Sequence, residues 1–165
     1  MSSWFRFYGY ASVRDGLIVG ALPQDEADVH TLAALGVGRV LNLVEDREYE
    51  RGARRVIERA LILAGIEEHR LSSEDYGSLK PELLDQATTI INAWLDRGQL
   101  VYLHCRAGWQ RSAAVAAATI ALRDGIAVED ALALVRQRKP TADPLPHQRD
   151  DVTSWFRERR ERPVR

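Results

Sequence analysis

The sequence has little cysteine, since Cys105 is the only one in 165 residues. A single cysteine excludes an internal disulfide, and a reactive thiol survives best in a reducing compartment, so the protein is expected to be cytoplasmic. No apolar run approaches the roughly 20 residues of a membrane span. The opening residues, MSSWFRFYGY, lack the basic-then-apolar order of a signal peptide. The chain is therefore expected to be soluble.

Excess charge and clustered histidines are also missing. The formal net charge is −1, which gives no electrostatic reason to expect nucleic acid as a partner. The four histidines lack the spacing of metal ligands, so neither a metal nor another cofactor is expected. With 165 residues and 45% hydrophobic content, the chain suffices for one domain with a substantial core. We predict a single domain over residues 1–165, with its core at about 16–156.

Strand-like segments alternate with helical patterns along the chain. This alternation predicts an α/β fold with a largely parallel central sheet flanked by helices on both faces. Strands are expected at residues 17–19, 39–43, 67–71 and 100–103. Helices are expected at about 25–35, 51–64, 81–97 and 112–123, followed by two more before the end of the chain.

The most informative segment is HCRAGWQRS at residues 104–112, which joins a predicted strand to a predicted helix. Ser112 resembles a helix cap, so the loop would wrap over a helix N-terminus. Such a loop binds anions, because its backbone N–H groups point inward and the helix dipole favours negative charge. Gly108 permits the turn, and Arg111 supplies a planar guanidinium for two oxygens of one phosphate. The residues predicted to bind substrate are Arg106, Ala107, Gly108, Trp109, Gln110 and Arg111.

Within this loop, Cys105 is the predicted nucleophile. Cysteine thiols at helix N-termini beside cations ionise near neutral pH, whereas a lone cysteine elsewhere is more often an inert, buried apolar residue. Ser112 is predicted to donate its hydroxyl to the sulfur. We expect His104 to orient the loop by hydrogen bonding rather than to act as a base, since an ionised nucleophile needs none.

The spacing HC-x2-G-x2-RS resembles the signature loop of the cysteine-dependent protein tyrosine phosphatase superfamily, in its compact dual-specificity branch. The resemblance implies hydrolysis of a phosphate monoester through a phosphocysteine intermediate, without a metal. Within that superfamily the sequence is most similar to phosphatidylglycerophosphate phosphatases of mitochondrial type, at residues 48–50, 65–67, 70–72, 75 and 101–108. It departs from them at Trp109-Gln110, where those enzymes carry a basic and a small residue.

A phosphatase also needs an acid, since an alkoxide or phenolate leaving group takes up a proton as its bond breaks. Ligands of open α/β sheets bind at the carboxyl edge of the strands, which points to the loop at residues 72–78. Asp75 is the predicted acid, and it lies about where the resembled family places one. Gly77 is expected to give the loop freedom to close. Two alternatives are open. Glu74 is the acid in place of Asp75, or Asp75 is only a solvated residue of the turn.

Other polar residues allow two interpretations each. Asn42 lies in a predicted buried strand, where it either braces the signature loop or serves the strand end. Gln148 either holds the hydrolytic water or begins a helix. The remaining acids of this region are predicted to form a solvated face, namely Glu45, Asp46, Glu48 and Glu50.

The substrate is predicted to be phosphotyrosine and phosphoserine or phosphothreonine in proteins. A phospholipid, phosphatidylglycerophosphate or a phosphoinositide, is one alternative, and a phosphate-binding module without catalysis is another. Two segments favour weak peripheral contact with a membrane: the aromatic run at residues 4–8, and residues 157–165, with five arginines against two glutamates. A packed N-terminal strand and a frayed helix end are the competing interpretations.

Overall fold

A five-stranded sheet runs through the centre of the structure, a computed structural model that describes residues 1–161. Its strands are β1 (Tyr10–Arg14), β2 (Leu17–Gly20), β3 (Arg39–Asn42), β4 (Glu67–Arg70) and β5 (Val101–His104). Their order in the sheet is β1-β2-β5-β3-β4. The strands β2, β5, β3 and β4 are parallel, and β1 pairs antiparallel with β2 as a hairpin. The prediction of a largely parallel sheet is confirmed.

Helices cover both faces of this sheet, as predicted. One apolar cluster joins the sheet to the last four helices, and a second joins it to the first three. A short 3₁₀ turn at Asp46–Glu48 follows β3. The helices are α1 (Ser3–Tyr8), α2 (Glu26–Ala34), α3 (Ala53–Leu63), α4 (Pro81–Asp96), α5 (Arg111–Asp124), α6 (Val128–Arg138) and α7 (Pro146–Glu161).

The central strand β5 positions the signature loop. It lies between β2 and β3, and α5 leads away from its carboxyl end with residues 111–121 all buried. In the β3–β5 ladder Asn42 pairs with His104, so both strands end at the same level. The loops that follow β3, β4 and β5 therefore meet at one edge of the sheet.

The N-terminal segment is a helix, so its interpretation as a packed strand was wrong. Ser2 caps α1, because its Oγ accepts a hydrogen bond from the backbone N–H of Phe5. The buried carboxylate of Asp28 holds Ser2 in turn, through its backbone N at 2.7 Å and its Oγ at 2.6 Å. Phe5 is completely buried. These contacts span 26 residues of chain, so the local pattern did not reveal them.

One predicted boundary also moves. The helix after the signature loop begins at Arg111, with Gln110 at the capping position, so Ser112 is not the cap. Ser112 is instead fully buried in the first turn. No helix among residues 1–161 is long and apolar enough to cross a membrane.

Candidate active site

The sulfur of Cys105 lies at the base of a cavity of about 150 Å³ at the sheet edge. Cys105 comes directly after β5 and is buried. The hydroxyl of Ser112 is 3.2 Å from the sulfur, close enough to donate a hydrogen bond to a thiolate. The structure thus brings together the predicted nucleophile and the hydroxyl that the sequence paired with it.

Backbone contacts hold the signature loop in place. Gly108 has φ +72°, and a Cβ there would lie 2.5 Å from the carbonyl carbon and oxygen of Gly20 at the end of β2. The loop carbonyls are also engaged, since Arg106 accepts from the N–H of Leu22 at 2.9 Å and Trp109 from that of Asp143 at 2.7 Å. The loop is therefore shaped before any anion binds.

Arg111 is almost fully buried and joins three loops. Its guanidinium contacts both carboxylate oxygens of Glu48, at 2.6 and 2.9 Å, and Asp75 Oδ1 at 3.0 Å. It also donates to the carbonyl oxygens of Leu43 at 3.3 Å and Ser73 at 2.8 Å. Its Nε is buried and has no acceptor within residues 1–161. That N–H is therefore left without a protein partner in the described part of the chain.

Glu48 is the functional residue that the sequence interpretation missed. It was assigned to a solvated face, yet its side chain is 5% exposed. Burial raises the pKa of Glu48, but the hydrogen bonds from Arg111 and from the backbone N–H of Glu45 outweigh it, so the pKa lies below its usual value. The carboxylate therefore stays charged and fixes the arginine. The available signal was its position just beyond the carboxyl end of β3.

The two candidate acids face different ways. Asp75 lines the cavity with Cys105 and lies 3.0 Å from Arg111. Glu74 is 70% exposed, and its carboxylate lies 3.6 Å from Arg47 at the surface. The geometry favours Asp75 as the acid over Glu74.

The acid loop, residues 72–78, makes hydrogen bonds at Gly77. Gly77 closes a turn by donating its N–H to the carbonyl of Glu74, and its own carbonyl accepts from Gln148 Nε2 at 3.1 Å. Gln148 is fully buried, and its Oε1 accepts from the N–H of Leu145. Both ends of its amide are thus engaged away from the sulfur, which disfavours the water-holding interpretation. The expectation that Gly77 lets the loop close stays a prediction.

His104 and Asn42, the two predicted supporting residues, act in different places. His104 Nδ1 lies 3.2 Å from the carbonyl oxygen of Cys105 and donates to it. Burial lowers the pKa of His104 to about 4, so the ring is neutral at physiological pH and suited to orienting the loop.

Asn42 makes no hydrogen bond to the signature loop. Its Nδ2 donates to Tyr49 Oη at 2.7 Å and Glu68 Oε1 at 2.9 Å, and its Oδ1 accepts from the N–H of Val44. Asn42 braces the segment after β3, which carries Glu48.

Aromatic side chains form the rim of the cavity, and two of them come from α1. Trp4 and Tyr8 pack against each other with centroids 4.2 Å apart, and Tyr8 lies 5.2 Å from Trp109 of the signature loop. The guanidinium of Arg106 lies over Trp4, 5.4 Å from its ring centroid. The predicted membrane-contact segment therefore turns most of its aromatics inward and leaves Phe7 exposed. Residues 162–165 of the predicted basic tail lie outside the described part.

Comparisons with known proteins agree with this geometry. The family described as "Dual specificity phosphatase, catalytic domain" matches residues 21–158. The structure of PTPMT1 superimposes with a TM-score of 0.79 at 25% identity, covering 91% of this chain and 95% of that one. PTPMT1 in complex with PI(5)P gives a TM-score of 0.81 at 23% identity, with coverages of 94% and 99%. Tk-PTP in the active form gives 0.79 at 23%, with coverages of 91% and 97%, and human DUSP28 gives 0.71 at 19%, with coverages of 92% and 95%.

Proposed function

Since the chain belongs to the dual specificity phosphatase catalytic-domain family and is a cysteine-dependent phosphatase, we propose that it removes phosphate from tyrosine and from serine or threonine of proteins, through a phosphocysteine intermediate. The observation that carries this proposal is the meeting of Cys105, Arg111 and Asp75 in one cavity. A module that only binds phosphate has no need of a nucleophile and an acid together.

In the first step the loop N–H groups and Arg111 bind the phosphate oxygens, which replace the contact between Arg111 and Asp75, so that Asp75 is protonated when Cys105 attacks phosphorus. The S–P bond forms as the bond to the ester oxygen breaks, and Asp75 gives its proton to that oxygen. The arginine and the amides are fixed beforehand, so they stabilise the transferring group without reorganising.

In the second step a water molecule attacks phosphorus and the S–P bond breaks. The carboxylate of Asp75 takes the proton from the water and is ready for the next cycle. Ser112, 3.2 Å from the sulfur, stabilises the departing thiolate by donating a hydrogen bond from its hydroxyl group. Inorganic phosphate is then released.

The rim of the cavity supports a protein substrate. Trp4, Tyr8, Tyr76 and Trp109 line it, and aromatic rings stack well on the ring of a phosphotyrosine. The positive charge there is limited, because Arg111 is paired with both Glu48 and Asp75. A headgroup with several phosphates would find few unpaired cations beyond Arg106.

The test is a turnover panel with phosphotyrosine peptide, phosphoserine peptide, phosphatidylglycerophosphate and phosphoinositides. We expect both peptides to be cleaved, the phosphotyrosine peptide with the higher kcat/KM. Single-turnover quenching in acid should trap a phosphoprotein that Cys105→Ser cannot form. No cleavage of either peptide would overturn the protein-directed assignment.

A phospholipid is the second candidate, because the 25% identical PTPMT1 is also seen in complex with PI(5)P. It requires that lipid in anionic vesicles be cleaved with a far higher kcat/KM than any phosphopeptide. Added salt should then weaken vesicle binding by screening, as expected for weak peripheral contact. Undetectable lipid turnover beside cleavage of both peptides would eliminate this candidate.

A further inference from the structure

Side chains in the first turns of α7 make hydrogen bonds to the backbone of the acid loop and of Leu79, just after it. His147 Nε2 donates to the carbonyl oxygen of Tyr76 at 2.9 Å and lies 3.3 Å from that of Gly77. Gln148 Nε2 donates to the same Gly77 oxygen at 3.1 Å. Asp151 Oδ2 accepts from the N–H of Leu79 at 2.8 Å. Three side chains on one helix therefore bind three backbone groups that follow Asp75.

The backbone at this point needs such support. Tyr76, the residue after Asp75, has φ +62° and is the non-glycine residue of the described chain with positive φ. A bulky residue in this region persists only where its surroundings over-determine it. The carbonyl groups of Tyr76 and of the next residue are the ones that α7 binds. The contacts from α7 thus hold the unusual turn that aims Asp75.

Residues of the acid loop before Tyr76 are held by a different group, the guanidinium of Arg111. Asp75 lies 3.0 Å from Arg111, and the carbonyl of Ser73 accepts from the same guanidinium. The contact with the arginine is made by the carboxylate form of Asp75. The contacts from α7 act on the backbone and persist when Asp75 is protonated. None of the three α7 residues lines the cavity that contains Cys105.

We propose that His147, Gln148 and Asp151 are positioning residues that hold Asp75 where it transfers a proton to the leaving group. The inference rests on the proposed function, since it requires Asp75 to be the general acid. Loss of the contacts should displace the carboxyl group and slow the first step, formation of the S–P bond, only with leaving groups that need its proton. A displacement of about 1 Å costs roughly a hundred-fold in a positioned reaction.

Two aryl phosphates of similar size but different leaving groups distinguish a loss of proton transfer from a loss of folded protein. Phenyl phosphate needs protonation of its leaving oxygen, whereas p-nitrophenyl phosphate leaves readily as the anion. For His147→Ala, which alters an exposed side chain, we expect kcat/KM, which reports the first step and not the hydrolysis common to both substrates, to fall roughly ten-fold to a hundred-fold with phenyl phosphate. With p-nitrophenyl phosphate it should change by less than about two-fold. His147→Gln, which keeps a donor, should recover most of the loss.

Further variants extend the test to the buried contacts. Gln148→Met and Asp151→Ala should show the same dependence on the leaving group, and Asp150→Ala is the matched control on an exposed neighbour with both rates unchanged. Circular dichroism and the melting temperature verify folding. If Gln148→Met does not fold, the exposed His147 still decides the question.

Asp75→Asn provides the reference. If Asp75→Asn is selective for phenyl phosphate and the α7 variants are not, the positioning role is wrong and the proposed acid stands. If Asp75→Asn shows no selectivity, the acid assignment itself fails. Equal losses on both substrates in the folded α7 variants would indicate a general structural role and would also overturn the inference.

Discussion

Among single residues, Cys105 has the most specific chemical assignment and gives the simplest test. Cys105→Ser should abolish turnover, because a serine hydroxyl beside Arg111 is not ionised at neutral pH. Binding of vanadate or inorganic phosphate should persist, since the loop amides and the arginine remain. Isothermal titration calorimetry together with a phosphate-release assay measures both. Retention of more than a small fraction of activity would eliminate Cys105 as the nucleophile.

Glu48 gives a second test, because both of its carboxylate oxygens accept hydrogen bonds from Arg111. Glu48→Gln keeps the size but loses the charge, so Arg111 should lose its fixed orientation. We expect kcat/KM to fall roughly ten-fold to a hundred-fold. The free energy of unfolding should also fall, by less than the roughly 3–5 kcal/mol lost when a buried charge is left unpaired, because Asp75 still contacts Arg111.

The matched control is Glu50→Gln, two residues on and exposed. It should alter neither the turnover nor the unfolding midpoint in urea. Unchanged kcat/KM in Glu48→Gln would show that Arg111 needs no carboxylate to hold it.

At the scale of elements, α1 contributes two side chains to the rim although it lies a hundred residues before the signature loop. Replacing Trp4 or Tyr8 by leucine removes an aromatic surface while leaving the catalytic groups in place. We expect KM for a phosphotyrosine peptide to rise roughly three-fold to ten-fold, the worth of one aromatic contact. Steady-state kinetics with phosphotyrosine and phosphoserine peptides should show a smaller effect on the latter.

Phe7→Ala is the control for this prediction, because Phe7 belongs to the same helix and is exposed. Its kinetics should match those of the unaltered protein. An equal rise of KM for both peptides would indicate that α1 supports the loop without contacting the substrate ring.

The signature loop, as an element, depends on the close approach of two backbones. Gly108→Ala would place a methyl group 2.5 Å from the backbone of Gly20, at a φ of +72°. We expect loss of activity and a large drop in melting temperature. Gly125→Ala separates the causes, because it has a similar φ of +67° and no atom within 4 Å of the added carbon. It should cost only roughly 1–2 kcal/mol and leave turnover intact. Similar behaviour of the two variants would refute the steric argument.

For the whole molecule, the buried histidine makes stability depend on pH. Burial holds the pKa of His104 at about 4, below the value of 6.5 expected in the unfolded chain. The unfolded state therefore takes up this proton first as pH falls. The neutral His104 ring therefore adds about a few kcal/mol to the free energy of unfolding above about pH 6.5. This stabilisation is lost as the pH falls to about 4. Glu48, whose pKa is also lowered, adds a further loss in more acidic solution.

Urea unfolding at a series of pH values between 7 and 4 measures this dependence. In a folded His104→Gln variant the slope of the unfolding free energy against pH should be shallower over that range. Identical slopes in the two proteins would mean that another group takes up the proton.

The cytoplasmic location and the single domain over residues 1–165 stay predictions.

The sequence by itself determined whatever depends on near neighbours in the chain. The predicted nucleophile, the arginine and the loop glycine all lie within seven consecutive residues. The periodicity of apolar residues, with glycines at the ends of the periodic segments, predicted the helices that cover the sheet. Contacts between distant segments depend on the strand order, which places β5 between β2 and β3. Only the tertiary structure therefore brought Glu48 to Arg111 across 63 residues and α7 to the acid loop across 71. A carboxylate in an acidic stretch looks solvated until packing removes its water and a buried guanidinium stabilises its charge.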